Sequence, residues 1–600
     1  MIEMSKRFDR IYVVSWEALE PVGGIGTVIS EETPYLSKYG EVILIAPWNR
    51  STCGVIYGLR RKETWKSLEI PPDLAYACKQ LKDISYFFGE RKIRDDWIKT
   101  LAIRTARFRQ TDWPEYMEKN VDQIKTKLFE FTKDRGAFAI HSLHYTGDTW
   151  YEPDITFGYV AGEIIHNSAF FLREGNPEVK LVASFEEFQT FSGGYNLLSK
   201  NSPVGVRLRA HATFSGRHLI NKLGPYEGYK KIEEWIENNK VIFGYDKRDL
   251  IAREDEIKNR MLSEGFHLGK NGLEANMDRA DHAVTVSKVT AKEARGLYGL
   301  ELEVVPNGID AYLGVKPSLE LRRKNKEMLR EYVKSVSGFE PDFIGYFIGR
   351  MVMEKGIFEI INASKLLADT LDVTRSNLKV AVFLVTGNTE PGMRLHKAEC
   401  IKQIEKWPFE HSEDLICDCE RALARGCSSV NRSCDNVRVF LFNQFMRPDL
   451  CNLAMSFPEF VMGCDVGVFP STYEPFGLTP LEAARGGTPF ITSEVSGVWT
   501  DAVHSYVEEQ IAKGVPRADA ELGMYACKVV GQSREKLEKE IASYIYHIIS
   551  APEGLRNKMS QNVRSMAERF NWDKIVEFYE LSSFKKAYDR MLIRKNKKEK

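Results

Sequence analysis

Ser471-Thr472-Tyr473-Glu474-Pro475-Phe476-Gly477-Leu478-Thr479-Pro480-Leu481-Glu482 places two carboxylates eight positions apart, with a proline- and glycine-marked turn between them. The run before it, Val466-Gly467-Val468-Phe469, is apolar and reads as the end of a buried strand. Leu481-Glu482-Ala483-Ala484 reads as a short helix. A strand end, a turn and a helix N-terminus form the anion-binding corner of an α/β domain, because the first amides of a helix lack partners within it and its dipole favours negative charge. One carboxylate before the turn and one on the helix suit a ligand that carries both phosphates and hydroxyls, such as a nucleotide sugar.

The same corner recurs upstream. Gly349-Arg350 closes the apolar run Ile344-Gly345-Tyr346-Phe347-Ile348, and Glu354-Lys355-Gly356 opens the next helix. Arginine grips phosphate with a planar fork and lysine acts as a flexible point charge, so the two can reach one diphosphate across a strand–helix turn. Near the N-terminus, Ser15-Trp16-Glu17 runs into Pro21-Val22-Gly23-Gly24-Ile25-Gly26. Such glycines let backbone amides approach an anion. The spacing is not GxGxxG and no acidic ribose binder follows, which argues against a nicotinamide enzyme. The motif alone leaves a plain tight turn equally open. His211, after Arg207 and Arg209, is a candidate to donate to a sugar hydroxyl or to serve as a satisfied structural histidine. Glu274 and Asp281 are assigned no chemistry.

Strands read at 10–14, 42–46, 138–141, 157–160, 181–185, 241–243 and 283–286, separated by longer mixed stretches. This is the βα pattern of a mostly parallel sheet. The charged, aromatic stretch 83–132 is expected to form helices outside the sheet. After Pro306-Asn307-Gly308 a second βα series uses the runs at 344–350, 380–385, 437–442, 466–469 and 489–492. The expected division is 1–320, 321–560 with a helical insertion at 390–435, and 561–600. Two such domains facing each other make a cleft for a ligand that needs two walls.

Six hundred residues exceed one core. Lysine plus arginine equals aspartate plus glutamate at 84 each, so no global field points to nucleic acid or an anionic membrane. No apolar run reaches the ~18–20 residues that span a bilayer, and Met1–Arg7 moves into Ile11-Tyr12-Val13-Val14 without a leader segment, so the expected location is the cytoplasm. Ten cysteines in this length fit a reducing compartment. Cys417, Cys419, Cys427 and Cys434 match no zinc spacing and read as unpaired thiols in the insertion. The basic tail at 585–600 reads as a frayed, solvated end.

Taken in order, these motifs resemble the eukaryotic-type glycogen synthases among the retaining two-domain glycosyltransferases. The matching pieces are Ser15-Trp16-Glu17 with Val22-Gly23-Gly24-Ile25, Phe185 to Gln189, and His211-Ala212-Thr213 with Gly216-Arg217. Ala283 to Ala291 and Pro306-Asn307-Gly308 follow. Gly349-Arg350 with Lys355-Gly356, Glu459-Phe460-Val461 with Gly463-Cys464, and Phe469 to Glu482 complete the set.

The resemblance implies a GT-B fold, α/β, with two Rossmann-like parallel-sheet domains facing across a cleft. It implies glucose transfer from UDP-glucose or ADP-glucose to the 4-hydroxyl end of an α-1,4-glucan, with retention and without metal or cofactor. It gives Arg350 and Lys355 the donor phosphates, Gly23 and Gly24 the diphosphate, and His211 the donor sugar. Glu474 falls beside the reacting sugar and Glu482 on the ribose, with amides around Gly477, Leu478 and Thr479 meeting sugar and phosphate. It also implies a C-terminal helix near Trp572 returning to the first domain, and homo-oligomer contacts through the second.

Two departures stand out. The family's histidine–glutamate pair appears as Glu186-Glu187, which removes a neutral donor and adds a charge beside the sugar. The family's arginine cluster for glucose-6-phosphate appears spread out, as Arg556, Arg564 and Arg569 with Lys558, which argues against that activation. The first departure leaves two alternatives open: a glucosyltransferase with a small sugar or polyol acceptor, and a catalytically weak glucan-binding scaffold.

Overall fold

The computed structural model describes residues 7–19, 24–48, 65–81, 84–93, 96–104, 115–145, 148, 151–310, 317–350, 352–386, 416–442 and 455–598. It divides into two compact units. The first comprises Met1–Lys222, Lys230–Gly308 and Trp572–Lys600; the second comprises Leu223–Tyr229 and Ile309–Asn571.

Among the described residues the first unit is built on nine strands: β1 Arg10–Ser15, β2 Glu41–Trp48, β3 Trp65–Ser67, β4 Tyr86–Ile93, β5 Asp96–Arg104, β6 Leu181–Glu186, β7 Gly205–Ala210, β8 His282–Thr285 and β9 Glu303–Val304. Their order is β3-β4-β5-β2-β1-β6-β7-β8-β9. All residues of β1, β6 and β7 are buried, as strands covered on both faces must be. From β5 to β9 the pairing is parallel, while β3, β4 and β5 pair antiparallel.

The antiparallel part corrects the sequence reading. Tyr86–Ile93 and Asp96–Arg104 pair as a hairpin toward the sheet's edge, and among the described residues of 83–132 helix covers only Glu115–Thr132. The runs at 157–160 and 138–141 are not strands. The first lies inside the helix Tyr151–Gly175, whose residues 151–165 are all buried, so no exposed stripe marked it as helical. The second follows a 3-10 turn, Lys133–Phe138. Residues 241–243 give a tight 3-10 turn, Ile242–Gly244, closed by a bridge between Val241 and Tyr245.

Among its described residues the second unit holds six parallel strands: β10 Phe343–Ile348, β11 Val380–Val385, β12 Val437–Phe442, β13 Val466–Val468, β14 Phe490–Ser493 and β15 Met524–Cys527. Their order is β12-β11-β10-β13-β14-β15. Most of the expected insertion lies outside the described residues. Its end forms the helix Ile416–Ser433, in which Cys427 is buried; Cys434, just after it, is also buried, and both are free thiols. No described helix is long and apolar enough to cross a membrane.

Through Lys598 the basic tail is not frayed. Leu581–Lys598 is a helix of the first unit. Arg594 pairs with Asp281 at 2.9 Å, Lys586 pairs with Glu303 at 2.5 Å, and Phe584 meets Phe8 edge-on at 6.2 Å. Just upstream, Trp572 is fully buried and donates to Glu31 at 3.0 Å. Replacing Trp572 with alanine should cost the first unit about 3–5 kcal/mol, read as a lowered urea midpoint. A change under about 0.5 kcal/mol, the level of a surface substitution, would contradict this docking.

Candidate functional site

In a parallel sheet every strand points its carboxyl end to one edge. Ligands settle where the winding direction reverses, because no crossover covers the crevice there. In the second unit the chain winds from β10 outward to β12, then returns to β13 and winds the other way to β15. The reversal falls between β10 and β13. The loops after these strands carry Arg350 and Lys355 on one side and Glu474 on the other.

The structure brings most of the sequence-predicted residues of this unit together. Lys355 Nζ donates to Glu474 Oε2 at 2.5 Å, with both side chains 17% exposed. Ser471 Oγ donates to the same oxygen at 3.3 Å. The two loops are clipped by their backbones: the amide of Thr472 donates to the Glu354 carbonyl at 2.7 Å. A third loop joins from β14, where Gly497 donates to the Glu474 carbonyl at 3.1 Å and Val498 to that of Phe476 at 2.5 Å.

Two glycines make this convergence feasible. Gly356 has φ 69°, and a Cβ there would lie 2.7 Å from the Pro470 carbonyl oxygen. Gly477 has φ 94°, and a Cβ would lie 3.1 Å from Glu474 Cγ. Gly477 caps the helix Leu478–Arg485, which presents the first-turn amides of Leu478 and Thr479 and carries Glu482, half-buried, on its last turn. Arg350 is exposed and forms no ion pair among the described residues. The arrangement therefore offers an exposed guanidinium, an ammonium with two donors beyond its carboxylate bond, and helix-end amides, which together suit a polyanion.

In the first unit the reversal falls between β1 and β6. Gly23 lies outside the described residues. Gly24 opens the helix Gly24–Leu36 and is exposed, and a Cβ there would meet no atom within 4 Å, so the fold itself does not require glycine at this place. Glu17 accepts from the amide of Gly26 at 3.0 Å and so caps this helix.

His211 follows β7 and is 6% exposed. Sequence reasoning missed what holds it. Its Nε2 meets Glu186 Oε2 at 2.8 Å. Its amide and that of Ala212 donate to Glu187 Oε2 at 3.0 and 3.2 Å. Thr213 donates to Glu293, and the amides of Phe214 and Ser215 donate to Glu274 at 2.5 and 3.4 Å. Every residue from 211 to 215 is thus tied to a buried carboxylate. Glu274 is this loop's cap, and Asp281, also left without a role, anchors Val206 and Arg594. Glu187 adopts φ 71°, a costly conformation for a side-chain-bearing residue, of the sort held where surrounding contacts over-determine it.

Glu186 does not leave the bare charge that its place in the sequence implied. Burial pushes its pKa up, but the hydrogen bond with His211 and the charges of Arg209 and Arg207 outweigh it and hold the carboxyl well below the usual range. With Glu186 ionised, the proton of a neutral His211 sits on Nε2, and Nδ1 is an acceptor. A neutral His211 so held offers an acceptor at Nδ1, where the sequence reading had a donor. Burial, opposed by the Glu186 bond and reinforced by Arg209, lowers the His211 pKa. Around it, burial raises other carboxyls: Glu32 to about 8, with Glu580's charge adding to it, Glu187 to about 8, with Glu274 adding, and Glu274 to about 7.

The spread arginines are also accounted for within the second unit. Arg564 donates to the Pro317 carbonyl at 3.0 Å, Arg556 to that of Ala551, and Arg569 to Glu509.

The raised carboxyls set a pH dependence. A carboxyl whose folded pKa exceeds its unfolded value lends stability at acid pH and loses it as pH rises through the folded value. Glu32, Glu187 and Glu274 act in this sense between pH 6 and 9, whereas the contribution of Glu186 is lost only in strong acid. The first unit should therefore lose at least about 2 kcal/mol of stability from pH 6 to 9, measured by denaturant titration at each pH. Glu187→Gln should flatten the slope. A stability that holds level or rises over this range would contradict the assignment.

The family model for glycogen synthase matches residues 410–600. The glycogen [starch] synthase of Dictyostelium discoideum is 23% identical over 95% of this chain, which spans 65% of that protein's length. Isoform 1 of Saccharomyces cerevisiae is 23% identical, over 94% of this chain and 84% of its own. Among solved structures, a trehalose-6-phosphate structure from E. coli bound with UDP-2-fluoro glucose aligns at TM-score 0.52 and 10% identity, covering 96% of this chain and 99% of that one. An α,α-trehalose-phosphate synthase (UDP-forming) from Burkholderia vietnamiensis aligns at 0.50 and 11% identity, with coverage of 96% and 99%. The chain has the GT-B fold and is similar in sequence to glycogen synthases.

Proposed function

We propose that this protein is a retaining glucosyltransferase of glycogen-synthase type, moving glucose from UDP-glucose or ADP-glucose to the 4-hydroxyl end of an α-1,4-glucan. The observation that carries the reading is the corner between β10 and β13, where Lys355 and Glu474 share a 2.5 Å bond beside Arg350 and the Leu478–Thr479 amides. Sequence similarity to glycogen synthases across almost the whole chain supports the choice of reaction.

In the proposed reaction the bond from glucose C1 to the donor phosphate oxygen breaks, and its electron pair leaves with the nucleoside diphosphate. Arg350, Lys355 and the helix-end amides stabilise that growing negative charge. Positive charge grows on the sugar, and the Glu474 carboxylate offsets it. The acceptor oxygen bonds to C1 on the same face, and its proton passes to the leaving phosphate oxygen. Glu482 is assigned to the ribose, Gly23 and Gly24 to the diphosphate, and His211 to a sugar hydroxyl. The proposed enzyme acts in the cytoplasm, without metal or nucleic acid, as a homo-oligomer.

The test is incubation with UDP-, ADP- and GDP-glucose, each with and without glycogen, measuring diphosphate release and chain extension. Glycogen-dependent release with a longer glucan is expected. Release without extension would move the acceptor to a small sugar, and silence with every donor would overturn the reading. Lys355→Ala and Glu474→Gln should each lower kcat/KM on the order of 100-fold, measured with the donor that turns over. Unchanged rates would remove these residues from the mechanism.

A further inference from the structure

Two arginines on one buried strand create a problem that a distant segment solves. Arg207 and Arg209 both belong to β7 and are 1% and 0% exposed. Arg207 donates to Ser184 Oγ at 2.8 Å, to Glu186 Oε1 at 3.3 Å and to Glu580 Oε2. Its guanidinium lies 4.0 Å from the centroid of the Phe584 ring. Arg209 donates to Glu32 Oε2 and to Asn307 Oδ1 at 2.9 Å each, and pairs with Glu580 Oε1 at 2.9 Å. Glu580 is fully buried, and its two oxygens bridge the two arginines.

The chain of contacts continues to His211. Ser184 donates to Glu186 Oε1, the oxygen that Arg207 also reaches, while Glu186 Oε2 receives His211. Among the described residues, the charged and titratable groups around the imidazole and its loop include Glu32 on the helix Gly24–Leu36, Glu186 at the end of β6, Glu187 just beyond it, Arg207 and Arg209 on β7, Glu274, Glu293 and Arg217 by the loop after β7, and Glu580 from the C-terminal segment. A buried arginine whose counter-charge is removed must move or draw another carboxylate to itself. The nearest carboxylate available to Arg207 is Glu186, the one that orients His211.

We propose that Glu580 is a positioning residue for His211: by holding Arg207 and Arg209 it leaves Glu186 free to fix the imidazole with Nε2 protonated and Nδ1 turned into the acceptor. The C-terminal segment is thereby part of the machinery that prepares the sugar contact. This inference rests on the reading of His211 as a sugar contact, but its geometry is tested without substrate.

The experiment uses the full-length protein labelled with nitrogen-15 histidine. The chain has 11 histidines, and His211→Gln identifies the signal. At pH 8 the native protein should show the paired nitrogen shifts of a single neutral tautomer protonated at Nε2. In Glu580→Gln the two shifts should converge as the tautomers mix, and kcat with the active donor should fall about tenfold or more. Ser184→Ala, which removes the hydroxyl bridging Arg207 and Glu186, should move the shifts the same way by a smaller amount, and it decides the matter if Glu580→Gln does not fold. Native tautomer signals in both variants, with only thermal stability reduced, would overturn the proposal. If no donor turns over even in the native protein while the signals shift as stated, the functional reading fails and the positioning role stands.

Discussion

The constraint on which the structure depends is the reversal of winding in the parallel part of each sheet. A parallel strand cannot turn back directly, so every connection crosses the sheet and every carboxyl end lies on one edge. Only where the chain changes direction is that edge left uncovered. Between β10 and β13 the uncovered edge receives Arg350 and Lys355 from one loop and Glu474 from another. The positive φ values of Gly356 and Gly477 let these loops and the helix after them approach within bonding distance. The chemistry at this corner is a consequence of topology first and of side chains second.

The first unit meets a second demand, that of burying charge. Burying Arg207 and Arg209 is costly unless each is paired and hydrogen-bonded. Three glutamates supply the pairing, one from the helix after β1, one from β6 and one from the C-terminal segment. Two arginines face three carboxylates, and burial with the neighbouring charge of Glu580 raises the Glu32 carboxyl to about 8. His211 is left neutral, tied to Glu186. The loop beyond it is secured by Glu187, Glu293 and Glu274. A loop so bound has one conformation to offer a ligand, and that preorganisation is what electrostatic catalysis requires.

What the sequence made legible follows from range. The strands at 10–14, 181–185, 344–350, 380–385 and 437–442 are short β-branched or aromatic runs, and each appears as a strand. The corner residues were legible because strand end, glycine and helix start are neighbours along the chain. Three other features were hidden for physical reasons. The apolar run at 157–160 sits in a helix buried on all sides, where no periodicity survives. The hairpin of β4 and β5 carries charge on its open face and so read as helix. Strand β7, absent from the runs read as strands, contains two arginines, and the carboxylates that make them buriable lie as far away in sequence as Glu32 and Glu580. No local pattern announces a counter-charge that tertiary structure supplies.

The central claim is that the corner between β10 and β13 receives a nucleoside diphosphate. Calorimetric titration of UDP and ADP into the native protein and into Arg350→Ala and Lys355→Ala tests it most directly. Saturable binding of at least one diphosphate to the native protein is expected, weakened in each variant by about tenfold or more, as loss of a charge-assisted phosphate contact requires. Equal affinity in all three proteins would contradict it.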